Sequence, residues 1–153
     1  MRTGVFATNS SYLNCWVQLG LASGNVITVS FPTAQPAPID GTHTPVLDRI
    51  SEYLDTGNEV DFSDVDVALT VSTDYRAVFQ TVRNIPYGTQ RSITDVLERT
   101  AAVEPGDGSQ HIIREALRNN PVPIIVPDHR VMGITGGTDP DVRDALRALE
   151  GLS

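Results

Sequence analysis

Between Asn120 and Val131 the chain reads Asn-Pro-Val-Pro-Ile-Ile-Val-Pro-Asp-His-Arg-Val, an apolar run ending in three adjacent ionisable groups, Asp128, His129 and Arg130. A carboxylate can serve as an oxygen nucleophile, as in glycosidases and phosphoryl-transfer enzymes. The leading reading of Asp128 is a loop residue between Pro127 and His129, ion-paired with a neighbouring arginine or solvated. His129 can act as a base, but it is expected to hold the loop by hydrogen bonds. His111, Asp128 and His129 lack metal-ligand spacing, so no metal site is expected. No glycine loop for phosphates is present, and no cofactor is expected. Arg114 and Arg118 stand one turn apart on a predicted helix. That spacing suits phosphate contacts as well as a solvated face.

The elements that must position these residues can be read from periodicity and capping. Val17, Leu19 and Leu21 alternate, Ser23-Gly24-Asn25 turns, and Ile27, Val29 and Phe31 alternate again, so residues 15–31 read as a hairpin. A proline-rich loop follows, from Pro32 to Thr44. Thr44-Pro45 opens a helix with Val46, Leu47, Ile50, Tyr53 and Leu54 on its apolar stripe. Val65, Val67, Leu69 and Val71 alternate as an expected strand beyond an acidic connector.

The second half reads as helical. Asp74 is expected to cap a helix burying Val78, Phe79, Val82 and Ile85. Ser92 caps a short helix carrying Ile93, Val96 and Leu97. Pro105-Gly106-Asp107-Gly108 turns. Ser109 is expected to cap a helix with Ile112, Ile113, Ala116 and Leu117 inward. Two capped helices joined this way are compatible with a helix-turn-helix, although the connection is longer than a tight one. Asp139-Pro140 starts the last helix, and Gly151 stops it. The expected domains are a small α/β unit, residues 1–72, and a helical unit, residues 73–153.

Composition bounds the rest. A chain of 153 residues can bury a proper core. No run of about 18 apolar residues marks a membrane span, and no basic flank with an apolar core marks a signal peptide. A cytoplasmic protein with no membrane partner is expected. Cys15 is the sole cysteine, which excludes an internal disulfide, and beside Trp16 in a predicted strand it reads as a small buried residue. The 19 acidic residues outnumber the 11 basic ones, and all 11 are arginine. This lysine-free, Asp-rich pattern resembles halophilic proteins of salt-loving archaea. In about 1 M salt the Debye length is roughly 3 Å, so self-repulsion matters little. A net charge of −8 argues against a nucleic-acid partner. In molar salt, however, counterion release gives any DNA binder little affinity, and contacts must come from hydrogen bonds, packing and shape.

An ordered series of matches now becomes informative. Tyr75 through Phe79, Val82, Ile85-Pro86-Tyr87-Gly88, Ala116 through Pro121, Pro127 with His129-Arg130, and Val142 to Gly151 together resemble the O6-alkylguanine-DNA alkyltransferases. Residues 17–54 are similar to that family's smaller domain more loosely. The resemblance implies an alkyltransferase-like fold, with a small N-terminal α/β domain and a C-terminal helical domain containing a helix-turn-helix. The family reads Pro-Cys-His-Arg where this chain reads Pro127-Asp128-His129-Arg130, and its Cys accepts the alkyl group, so the resemblance also allows Asp128 to occupy the former acceptor pocket and shape lesion or base recognition. A Cys, His and Glu relay makes the thiolate. By resemblance, His129 takes the His position and Asp144 aligns with the Glu.

Other family positions differ as well. His111 stands at the intercalating Arg, and Ile93 replaces the Tyr after Ser92. Gln110, Ile112, Arg114 and Glu115 replace small residues of the recognition helix. The loop after Arg130 is shorter and lacks its tyrosine, while Gly136-Gly137 remain. The resemblance places Ser92, His111, Arg114, Arg118, Asn120 and Arg130 where the family meets double-stranded DNA. The leading expectation is a non-catalytic relative that senses O6-alkylguanine and flags it for a repair partner. The alternatives are a repurposed scaffold serving a protein or small molecule, and a dealkylating enzyme with Asp128 as nucleophile.

Overall fold

The computed structural model describes residues 2–101, 103, 106, 108–134 and 137–152. The chain divides into two compact units, Met1–Leu69 and Thr70–Ser153. The first is built on a three-stranded antiparallel sheet, β1 (Gly4–Ser10), β2 (Cys15–Ala22) and β3 (Asn25–Ser30), in that order. The β2–β3 hairpin is the expected one, and Val17 and Leu19 are fully buried from its alternating face. Cys15 lies buried in β2. Helix α1 (Pro45–Thr56) begins at Thr44, whose hydroxyl accepts from the Leu47 N–H at 3.0 Å. It buries Leu47, Ile50, Tyr53 and Leu54, and it packs against β1.

Strand β1 carries no strand signal in the sequence, because Gly4 to Ser10 shows no clean alternation. Phe6 and Ala7 are consecutive and both buried. Conversely, the expected strand over Val65 to Val71 does not form. Only one bridge joins Val67 to Val26, through Val26 N–H to Asp66 O (2.9 Å) and Ala68 N–H to Val26 O (3.0 Å). The apolar alternation there sets one buried side chain, Val65, against the core, which is too little burial to hold a full strand.

The second unit is helical: among the described residues it holds α2 (Thr73–Arg83), α3 (Ile93–Arg99), α4 (Ser109–Arg118) and α5 (Pro140–Leu149), with a 3-10 turn at Asp128–Arg130. Helices α2, α3 and α4 pack on one another, burying Val78, Phe79 and Val82, then Ile93, Val96 and Leu97, then Ile113, Ala116 and Leu117. Two caps differ from expectation. Ser72, not Asp74, caps α2 by accepting from the Tyr75 N–H, and Asp74 falls in the first turn, where its charge suits the helix dipole. Gly108, at φ 81°, precedes α4, and Ser109 instead bonds the Gly106 carbonyl. Ser92 and Asp139 cap α3 and α5 as expected. Pro105, Asp107 and Gly136 lie outside the described residues. Among those described, no helix is long and apolar enough to cross a membrane.

Candidate functional site

The site is built on the segment that follows α4. Asn120 turns inward there and closes the loop around its own amide. Its Nδ2 donates to Val126 O (3.0 Å) and to Asp128 Oδ2 (3.2 Å), and its Oδ1 accepts from the Val122 N–H (3.0 Å). The loop holds Ile124 at φ 74°, a left-handed conformation that costs an L-residue roughly 1–2 kcal/mol. Three hydrogen bonds from one buried side chain, each worth about 1 kcal/mol net, offset that strain. After the 3-10 turn the chain returns towards α4: Gly137 N–H reaches Leu117 O at 3.3 Å, and a Cβ on Gly137 would collide with the Arg118 carbonyl.

Asp128 opens the 3-10 turn at 1 % exposure. Burial pushes its carboxyl up to about 6, against the pull of the Asn120 amide, the Arg143 guanidinium and the His129 backbone. The carboxylate is therefore not solvated, contrary to one sequence expectation. Arg143 acts on it by charge: its own hydrogen bond runs from Nη2 to Val131 O at 3.4 Å, and its Nε is buried without a partner among the described residues.

His129 and Arg130 converge on a carboxylate, and it is not Asp144. Glu150 places Oε2 2.7 Å from His129 Nε2. Arg130 sets its fork on the same group, from Nε to both oxygens (2.9 and 3.2 Å) and from Nη2 to Oε2 (3.0 Å). The Gly88 N–H donates to Oε1 at 2.9 Å. The Glu150 side chain is wholly buried. Arg130 Nη1 also donates to Ile85 O (2.8 Å), and its guanidinium lies 5.9 Å from the Tyr87 ring centre. Arg147 donates to His129 O (2.8 Å) and to Gln90 Oε1 (2.7 Å). Burial pushes the His129 pKa down, and the Arg130 and Arg147 charges add to this; Glu150 opposes them. We take His129 as neutral, because Arg130 already neutralises the Glu150 charge.

Asp144, aligned by resemblance with the family's Glu, instead lies on the exposed side of α5. The correction has a simple geometric cause. Glu150 is the C-cap residue of α5, where the chain breaks at Gly151 (φ 76°) and the side chain folds back into the core. The signal was present in residue type: Glu150 is the only glutamate after Glu115. Arg143 and Arg147, which hold Val131 and His129 from α5, carried no motif that would have singled them out.

The remaining site residues fall into two groups. His111, Arg114 and Arg118 recur at spacings of three and four on the exposed side of α4. His111 Nε2 lies 3.7 Å from Glu115, and Arg118 Nη1 donates to the same carboxylate at 2.9 Å. Ser92, Asn120 and Arg130 are committed to the fold: Ser92 Oγ accepts from the Asp95 N–H at 3.1 Å, and the other two hold the loop and Glu150. Ile93, in place of the family's tyrosine, is buried. Among the described residues no cluster of His, Cys, Asp and Glu is placed to hold a metal ion.

A helical unit with a closed Asn-Pro loop and a His–Glu pair beneath it defines a class, and comparison agrees. Residues 74–151 match the family model described as the 6-O-methylguanine DNA methyltransferase DNA-binding domain. A methylated-DNA–protein-cysteine methyltransferase of Methanopyrus kandleri is 36% identical over 112 residues, 72% of this chain and 81% of that protein. A variant of the Mycobacterium tuberculosis O6-methylguanine methyltransferase superposes with a TM-score of 0.74 at 22% identity, over 95% of this chain and 91% of the other. Mycobacterium tuberculosis OGT in complex with DNA gives 0.71 at 22%, over 96% and 92%. The chain belongs to the 6-O-methylguanine DNA methyltransferase family.

Proposed function

We propose that this chain is a non-catalytic, DNA-binding member of its family that recognises O6-alkylguanine in duplex DNA and marks it for a repair partner. The observation that carries the reading is the replacement of the family's acceptor by Asp128, a buried carboxylate hydrogen-bonded to Asn120, within an otherwise well-formed His129–Glu150–Arg130 support. Alkyl transfer from an O6 ether needs a soft, charged nucleophile. A buried carboxylate with one oxygen held by Asn120 and facing the charge of Arg143 is a poor one. What survives is the frame.

DNA contact in this reading falls to α4. His111, Arg114 and Arg118 offer an exposed row, and the Arg118–Glu115 pair is a surface interaction worth at most about 1 kcal/mol, readily exchanged for a phosphate. Arg118→Ala is expected to weaken duplex binding roughly tenfold, the loss of one charge-assisted contact, with or without a lesion. His111→Ala is expected to reduce the preference for the lesion. Anisotropy of a labelled duplex measures both, and unchanged affinities in the two variants would remove the proposal. The same incubation should leave no alkyl mass increment on the Asp128 peptide and release no dealkylated DNA; either product would establish the dealkylating alternative.

A second reading, a scaffold turned to another partner, draws support from Glu115. This carboxylate sits between His111 and Arg118, where it repels phosphate. Absence of duplex binding at any salt concentration would favour it.

A further inference from the structure

We propose that a cavity between the C-terminal ends of α2 and α3 binds a phosphate group. The cavity measures about 430 Å³ and is lined by Gln80, Thr81, Asn84, Ile85, Arg91 and Arg99. That volume lies within the range of small-ligand sites, roughly 300–1,000 Å³. The lining carries two positive charges and no carboxylate, in a chain whose net charge is −8. Arg49 pairs with Asp64, Arg118 with Glu115 and Arg130 with Glu150. Among the described residues, Arg91 and Arg99 pair with no acidic side chain. Gln80 on α2 and Asn84 at its C-cap add amide donors beside them.

The walls are held independently of any ligand. Arg91 is fixed by its backbone, which accepts from the Met132 N–H (2.8 Å) and donates to Arg130 O (2.9 Å). Ile85 offers its carbonyl to Arg130 Nη1. Thr100 Oγ1 donates to Thr81 Oγ1 at 2.8 Å, tying the end of α3 to α2. Only the guanidinium heads and amides then need to be ordered on binding, which keeps the entropic cost low. The C-terminal ends of the two helices bring about half a negative charge each. Two full guanidinium charges exceed that, and guanidinium forks match phosphate oxygens bidentately.

The test is a titration of the full chain with inorganic phosphate at constant ionic strength, followed by amide NMR. Saturable shifts at Thr81, Asn84, Arg91 and Arg99 are expected, and Arg91→Ala/Arg99→Ala should weaken them about tenfold or more, two charge-assisted contacts being lost. Should that double variant fail to fold, Arg99→Gln serves, because Arg99 is exposed. Two further probes separate the sources of phosphate. Duplex DNA that shifts the same amides and is displaced by phosphate supports a backbone diester. A nucleoside monophosphate that binds more tightly than phosphate, where the duplex leaves these amides unmoved, supports a free phosphomonoester. No saturable shift at these amides with any of the probes, or equal shifts in the variants, overturns the site.

Discussion

Glu150→Gln is expected to destabilise the second unit by about 3–5 kcal/mol, the usual loss when one partner of a buried ion pair is removed. For a chain of this size that lowers Tm by roughly 6–20 °C. Donors from three residues converge on this one carboxylate: the His129 ring, two nitrogens of Arg130 and the Gly88 N–H. Glutamine keeps the shape and removes the charge. Arg130, whose side chain is 13 % exposed, then has a cation with no counterion, and the new amide NH₂ must face donors. Asp144→Asn is the control. On an exposed helix face it should change stability by no more than about 0.5 kcal/mol. Thermal unfolding of the two variants beside the parent decides the matter, and equal stabilities would refute the central place given to Glu150.

Asp128→Asn is expected to stabilise the protein, and only above acidic pH. The folded carboxyl titrates at about 6, against about 3.9 for an unperturbed Asp. Between those values the folded state binds more protons than the unfolded one, so stability falls as pH rises from about 4 to 6. The gap amounts to about 3 kcal/mol at pH above 6 and vanishes below about 4. His129 has the opposite sign. Its pKa is lowered on folding, so its contribution is lost as pH falls below about 6.5. Both terms are present in the parent, but only the first disappears in the variant. The difference between the two stability profiles therefore isolates Asp128. Asparagine retains an oxygen to accept from Asn120, so the loop should persist. Denaturant unfolding at pH 4 and pH 7.5 measures the effect. A pH-independent difference, or a less stable variant at pH 7.5, would contradict the burial of a carboxylate at this position.

The sequence was most legible where one signal decided the outcome. The β2–β3 hairpin, the apolar stripes of α1 to α5 and the caps at Thr44, Ser92 and Asp139 follow from spacing and side-chain chemistry alone. Legibility ended where tertiary context chose between similar candidates. Val65 to Val71 alternates as well as a true strand does, yet it gains one bridge because burial, not alternation, sustains a ladder. Ser72 and Asp74 are both competent caps, and the one that precedes the first turn of helix prevailed. Asp144 lies on the closing helix and Glu150 at its C-cap, and periodicity could not reveal that the break at Gly151 folds the last carboxylate inward. The depth of Asp128 was likewise hidden: an Asp after Pro reads as a loop residue, and it is tolerated inside through the Asn120 amide, the Arg143 charge and the His129 backbone.

The central claim is that a frame without its acceptor still reads damaged DNA. The most direct measurement compares a fluorescent duplex carrying O6-methylguanine with its unmodified twin, by anisotropy, in molar potassium chloride. Tighter binding to the lesion is the predicted result. Equal binding, or none to either duplex, would contradict it.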